Sequence, residues 1–175
     1  DVVVPAGNLV HEENKGWTVA KYLLGHERMG SGNVGGSKRE LAALKELARR
    51  EHKDDAPLID DPRFRDRLSR VEIELDALEL TSMRFLDRMR RTGQPPGADA
   101  SMLKIRGTEV QQMITELMMQ AAGPMAQPFK AVGGGSIDPY TSRLAPRYFN
   151  FRKASIYAGS NEIQRNIIAK TTLGL

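Results

Sequence analysis

The chain has 175 residues, with 26 Lys and Arg against 22 Asp and Glu, three histidines and no cysteine. That length can bury a core without staples, whereas the lack of cysteine excludes disulfide frameworks, thiolate nucleophiles and sulfur-ligated zinc. A three-histidine site would need all of His11, His26 and His52, the only histidines in the chain, so none is expected and no metal is assigned.

Apolar runs are broken by charge every few residues, and the opening Asp1-Val2-Val3-Val4-Pro5 has no basic n-region. Neither a membrane span nor a signal peptide is expected, which points to a soluble chain, and the lack of cysteine fits a cytoplasmic one. From Asp1 to Trp17 a β-branched run is mixed with Pro5, Gly7, Asn8 and Gly16, which suits a short strand with turns and not a helix. A strand that starts so abruptly reads as the end of another unit, so residues 1–17 are expected to be a linker from an upstream part and residues 18–175 one helical domain.

From Thr18 the spacing becomes helical, with Val19, Leu23, Leu41, Leu44 and Leu47 on recurring faces and Gly25, Gly30, Gly32, Gly35 and Gly36 between them. Interior glycines weaken a helix by about 0.5–1 kcal/mol each, so this run calls for close approach of another backbone or of a flat ligand. A second helix is predicted over Asp66 to Arg91, carried by Leu68, Val71, Leu75, Leu78, Phe85 and Met89 and ended by Gly93 and Pro95-Pro96. A third is predicted over Ser101 to Ala122, with Leu103, Gly107, Val110, Ile114, Leu117 and Ala121 in one stripe. Gly123 to Ser142 reads as loop, including Gly133-Gly134-Gly135, and a fourth helix starts near Ser160 with Ile163, Ile167 and Ile168. The fold class is therefore all-α, an antiparallel four-helix bundle with a short N-terminal strand remnant.

The net charge of +4 is not evenly spread. Residues 140–175 hold six basic side chains and one acidic, while the other segments nearly balance. Arg143, Arg147, Arg152, Lys153, Arg165 and Lys170 either serve solubility or favour an anionic ligand near the C-terminus. A nucleic-acid face is not expected.

Gly30-Ser31-Gly32-Asn33-Val34-Gly35 matches the dinucleotide pattern G-x-G-x-x-G. The fingerprint requires a buried strand leading into a helix N-terminus, and what precedes it here is charged and in helical phase, so the match is rejected. His26 and Glu27 are adjacent on a helix and diverge by about 100°, which excludes a shared ion. Glu27 with Arg28 in a glycine-rich, apolar helical stretch reads either as a surface or ion-paired carboxylate or as a functional one. Gly159-Ser160-Asn161 reads as a turn and cap whose free amides could hold an anionic or carbonyl oxygen, or as an ordinary helix cap.

The run Ile156-Tyr157-Ala158-Gly159-Ser160-Asn161-Glu162-Ile163-Gln164-Arg165-Asn166-Ile167-Ile168-Ala169 closely resembles the C-terminal signature of flavin-dependent acyl-CoA dehydrogenases. Pro5-Ala6-Gly7-Asn8-Leu9-Val10 followed by Glu13-Asn14-Lys15-Gly16-Trp17 resembles that family's junction between its middle β-domain and the first helix of its C-terminal bundle. The two anchors sit at opposite ends, so the resemblance spans essentially the whole chain. It implies a C-terminal domain of a longer FAD-dependent subunit, assembled as a dimer or dimer of dimers and passing electrons to an electron-transfer-flavoprotein-type acceptor.

The reaction so implied is α,β-dehydrogenation of an acyl-CoA thioester: a carboxylate removes the α-proton while the β-hydrogen leaves as hydride for the flavin. Family members commonly carry the base just after the signature tyrosine, where this chain has Ala158. Some branches place it on the first bundle helix before an arginine, and Glu27 before Arg28 has that place here. The resemblance further implies Arg28, Tyr157 and Gly159 on the substrate side, and Ser160 and Glu162 toward the flavin dinucleotide. Glu162 replaces a more usual glutamine, and no Phe-Gly follows Arg49-Arg50, so no diphosphate contact is assigned there. An alternative is a catalytically silent partner subunit, given Ala158.

Overall fold

The computed structural model describes residues 1–30, 32–94, 97–127 and 141–175, and within them not the side chains of residues 25, 26, 28, 29 and 99. Six α-helices form among these residues: α1 (Gly16–Gly30), α2 (Val34–Arg50), α3 (Pro62–Thr92), α4 (Asp99–Ala122), α5 (Leu144–Arg152) and α6 (Asn161–Ile168). The only sheet among them is the pair β1 (His52–Lys53) and β2 (Ala56–Pro57), an antiparallel hairpin between α2 and α3.

The long helices follow from their ends and their stripes. Asp61 caps α3 by accepting from the Phe64 amide at 2.9 Å, Pro62 takes the first turn where its missing N–H costs nothing, and Gly93 closes the helix at φ 65°. Leu68, Val71, Leu75 and Leu78 of α3 meet Leu103, Val110, Ile114 and Leu117 of α4, with Leu41, Leu44 and Leu47 of α2 completing the core. Ion pairs fix the directions. Lys38 reaches Glu79 at 2.6 Å and Lys45 pairs with Glu72, so α2 and α3 run antiparallel. Arg67 meets Gln120 while Arg106 meets Glu74, so α3 and α4 do too.

The all-α bundle is as expected from the sequence, with several differences of detail. The first glycine-rich stretch forms two helices, because Asn33 takes a left-handed backbone, φ 45°, and opens α2 on a new axis. A further helix, α5, lies where none was assigned. Pro146 falls in its first turn, where proline is tolerated. The N-terminal segment forms no strand within this chain: residues 1–15 carry a single 3₁₀ turn, Ala6–Asn8, and Val2 to Val4 stay exposed because no described segment supplies a ladder partner. Gly133-Gly134-Gly135 lies outside the described residues. No described helix is long and apolar enough to cross a membrane.

Candidate functional site

α4 is the axis of the site. Near its start, Lys104, Thr108 and Gln111 face the junction of α1 and α2 on one side and the turn before α6 on the other. Gly30 and Asn33 from the junction, Ala154 from the 3₁₀ turn after α5, and Tyr157 and Ala158 from the turn before α6 complete a cavity of about 190 Å³. The junction comes this close because two backbones nearly touch: a Cβ on Gly107 would lie 2.6 Å from Gly32 Cα. Close approach thus explains Gly107, whereas Gly30 and Gly35 have open surroundings and a Cβ on Gly32 itself would meet nothing nearer than 3.8 Å.

The turn is shaped by two consecutive left-handed residues, Ala158 at φ 55° and Gly159 at φ 83°. Gly159 has a second constraint, since a Cβ there would lie 2.5 Å from Gln164 Nε2, which donates to the Gly159 carbonyl at 3.2 Å. Ser160 then caps α6, its Oγ accepting from the Ile163 amide at 3.4 Å. Glu162 stands in the first turn with its carboxylate held below the usual range, by hydrogen bonds from its own amide and the Ser160 hydroxyl first, and by Arg165 and Lys104 at longer range.

Beneath the turn lies a polar tie. Lys104 Nζ donates to Asn161 Oδ1 at 2.8 Å, and Asn161 Nδ2 donates to Thr108 Oγ1 at 3.2 Å, whose hydroxyl in turn donates to the Ile105 carbonyl at 2.9 Å. Burial pushes the Lys104 ammonium pKa down, opposed by the Glu162 carboxylate. Lys104 has no place among the residues expected from sequence, and Asn161 is expected there only as part of the turn and cap, not as its partner. The available signal was a lysine next to Leu103 and three residues before Gly107, inside the apolar stripe of α4.

Of the residues expected at a site, Tyr157 lines the cavity, as does Ala158 at the place left without a base. Glu27 lies three residues before Gly30 on α1, hence one turn back on the same face, with its side chain exposed. The Arg28 side chain lies outside the described residues. Gly159, Ser160 and Glu162 form the turn and helix start next to the cavity and do not line it. The basic C-terminal segment is partly used within the bundle. Arg147 pairs with Glu40 at 2.8 Å, Arg165 with Glu109 at 3.3 Å, and Arg152 donates to the Gln112 carbonyl at 3.0 Å under the Tyr148 ring. No group of acidic or histidine side chains able to hold a metal occurs among the described residues.

An all-α bundle in which a left-handed turn and a capped last helix close a cavity against a glycine-bearing helix junction defines the class of this protein. A family model described as "Acyl-CoA dehydrogenase, C-terminal domain" matches residues 14–173, and the chain belongs to that family. It is 34% identical over 178 residues to acyl-CoA dehydrogenase IpdE1 of Mycobacterium tuberculosis, covering all of this chain and 42% of that protein. Acyl-CoA dehydrogenase FadE26 of the same organism is 30% identical over 184 residues, again covering all of this chain and 44% of the relative. Among solved structures, the ChsE4-ChsE5 complex from M. tuberculosis superposes with a TM-score of 0.76 at 29% identity, over 98% of this chain and 44% of that one. The chain thus spans less than half the length of the relatives it matches.

Proposed function

We propose that this chain is the C-terminal domain of an FAD-dependent subunit that introduces the α,β double bond into an acyl-CoA thioester, with Glu27 as the α-proton acceptor. The observation that supports this reading is the pairing of Ala158, which lines the cavity at the signature position without a basic group, with Glu27 one turn before Gly30, which lines the same cavity. The Glu27 carboxylate takes the α-proton, and the pair left at Cα becomes the second Cα–Cβ bond as the β-hydrogen departs with its own pair. FAD, when bound, supplies the acceptor of that hydride. Tyr157 and Gly159 shape the thioester side of the turn, and Arg28 follows the base. Such chemistry needs water excluded around the carboxylate. Glu27 is exposed in this chain on a helix whose Leu23 and Leu24 are exposed as well, which supports a face covered by a further part of the subunit.

The start of α6 supports a specific part of the cofactor. Beside the Ser160 cap, Glu162 presents hydrogen-bond acceptors, and an ionised carboxylate at this helix start repels phosphate. These residues suit hydroxyl or amino groups of the dinucleotide and not its diphosphate. Electrons pass on to an electron-transfer-flavoprotein-type acceptor, and the subunit works as a dimer or dimer of dimers of like copies.

The test is Glu27→Gln in the full-length subunit: turnover is lost while flavin stays bound, and retained turnover overturns the assignment. Ala158 favours one second reading, a silent partner subunit in a hetero-oligomer. A dehydrogenase assay on the purified full-length homo-oligomer separates the two, since only the first predicts activity without another chain.

A further inference from the structure

Lys104 is 1% exposed and heads the fully buried side chains in size. A leucine or methionine would fill this place without desolvating a charge, so a lysine here has to do something that packing does not. Among the described residues its hydrogen bond goes to Asn161 Oδ1, across 57 positions of sequence and from one helix to another. Asn161 is itself buried, is the first residue of α6, and is held on its other side by Thr108. The neighbouring residues leave the turn little freedom of its own: Ser160 is committed to the cap and the Gly159 carbonyl to Gln164. The short path from Asn161 back to Ala158 then ends on the cavity, and Lys104 lines that same cavity.

We propose that Lys104 is a positioning residue of the site: its buried ammonium, bound to Asn161, clamps the turn from Tyr157 to Ser160 onto α4 and so sets where Tyr157 and Ala158 stand in the cavity wall. The clamp itself is geometric, and only its catalytic consequence rests on the proposed dehydrogenation. A turn displaced by about 1 Å is enough to cost on the order of 100-fold in a positioned reaction. A side chain that only filled space would affect the melting temperature and nothing else.

The experiment uses the full-length subunit with bound flavin, kept well below the melting point of each variant. In Lys104→Met the amides of residues 156–163 exchange with deuterium faster than in wild type, and kcat falls by roughly 10- to 100-fold, out of proportion to any rise in KM. Asn161→Asp keeps an acceptor for the ammonium and retains most of kcat. Asn161→Leu breaks the same bond from the other side, and it reads the clamp should Lys104→Met fail to fold. Unchanged exchange in either bond-breaking variant overturns the clamp, and a wild-type kcat in folded Lys104→Met overturns the positioning role. An inactive wild type would count against the proposed dehydrogenation, while the exchange data still decide the clamp.

Discussion

Gly107 on α4 and Gly32 at the α1–α2 junction meet backbone to backbone, with 2.6 Å between the Cβ that Gly107 lacks and Gly32 Cα. This contact brings the end of α1, with Gly30 and behind it Glu27, to the side of α4 that also carries Lys104 and Thr108. A methyl group at position 107 can be accommodated only by moving the junction. Gly107→Ala in the full-length subunit is therefore destabilising by about 1–3 kcal/mol, the usual cost of overpacking. Gly35→Ala provides the control, since its Cβ would have only Arg39 Nη1 nearby at 3.9 Å. It raises stability by about 0.5 kcal/mol through the unfolded state. Thermal unfolding of both variants checks the pair, and a neutral Gly107→Ala contradicts the contact.

Ala158 pays for its place in backbone strain. A non-glycine residue at φ 55° is disfavoured by about 1 kcal/mol. Ala158→Gly stabilises the subunit by about that amount, measured by thermal unfolding, because the turn is already formed for a residue without Cβ.

The same position tests where the base can stand. A glutamate introduced at 158 enters the cavity wall shared with Gly30 and meets no more backbone strain than the alanine it replaces. In the Glu27→Gln subunit, Ala158→Glu restores part of the lost rate of flavin reduction on mixing with acyl-CoA. A folded, flavin-loaded double variant with no recovery shows that the two positions do not share one reacting centre.

Asp61 links acidity to stability. Its carboxylate is held below the usual range by Lys53 first, then by the Phe64 amide that it caps. A carboxyl whose folded pKa is lowered contributes stability above its unfolded pKa, near 4, and loses it as pH falls through the folded value. Asp61→Asn therefore lowers the melting temperature at pH 7 and changes it less at pH 3. Equal losses at both pH values contradict the ionised cap.

How much of this was legible depends on what each residue does. Leu68, Val71, Leu75 and Leu78, and likewise Leu103, Val110, Ile114 and Leu117, are buried where their spacing places them, since a long helix on a core repeats its apolar face. α6 does the reverse. Ile163 is exposed while Asn161 and Gln164 are buried, because this helix is held by polar ties to α4 and the turn instead of an apolar stripe. α5 was hidden by Pro146, whose effect depends on the turn it occupies. Leu23, spaced like a core residue, is exposed on α1, because periodicity marks an apolar face without saying which chain covers it. The excess of C-terminal charge leaves solubility and an anionic ligand both open, yet Arg147 and Arg165 meet Glu40 and Glu109 in the fold, pairs between residues too distant in sequence for charge counting to find. The turn and cap at Gly159 and Ser160 were readable, as such local chemistry is written in adjacent residues.

The most direct measurement is the exchange of the acyl-CoA α-hydrogen with solvent deuterium by the full-length, flavin-loaded subunit, with no electron acceptor present. It reports removal of the α-proton alone. Wild type incorporates deuterium at Cα, and Glu27→Gln does so at least about 100-fold more slowly, the lower range of what a positioned base contributes. Equal incorporation by the two proteins would contradict Glu27 as the base.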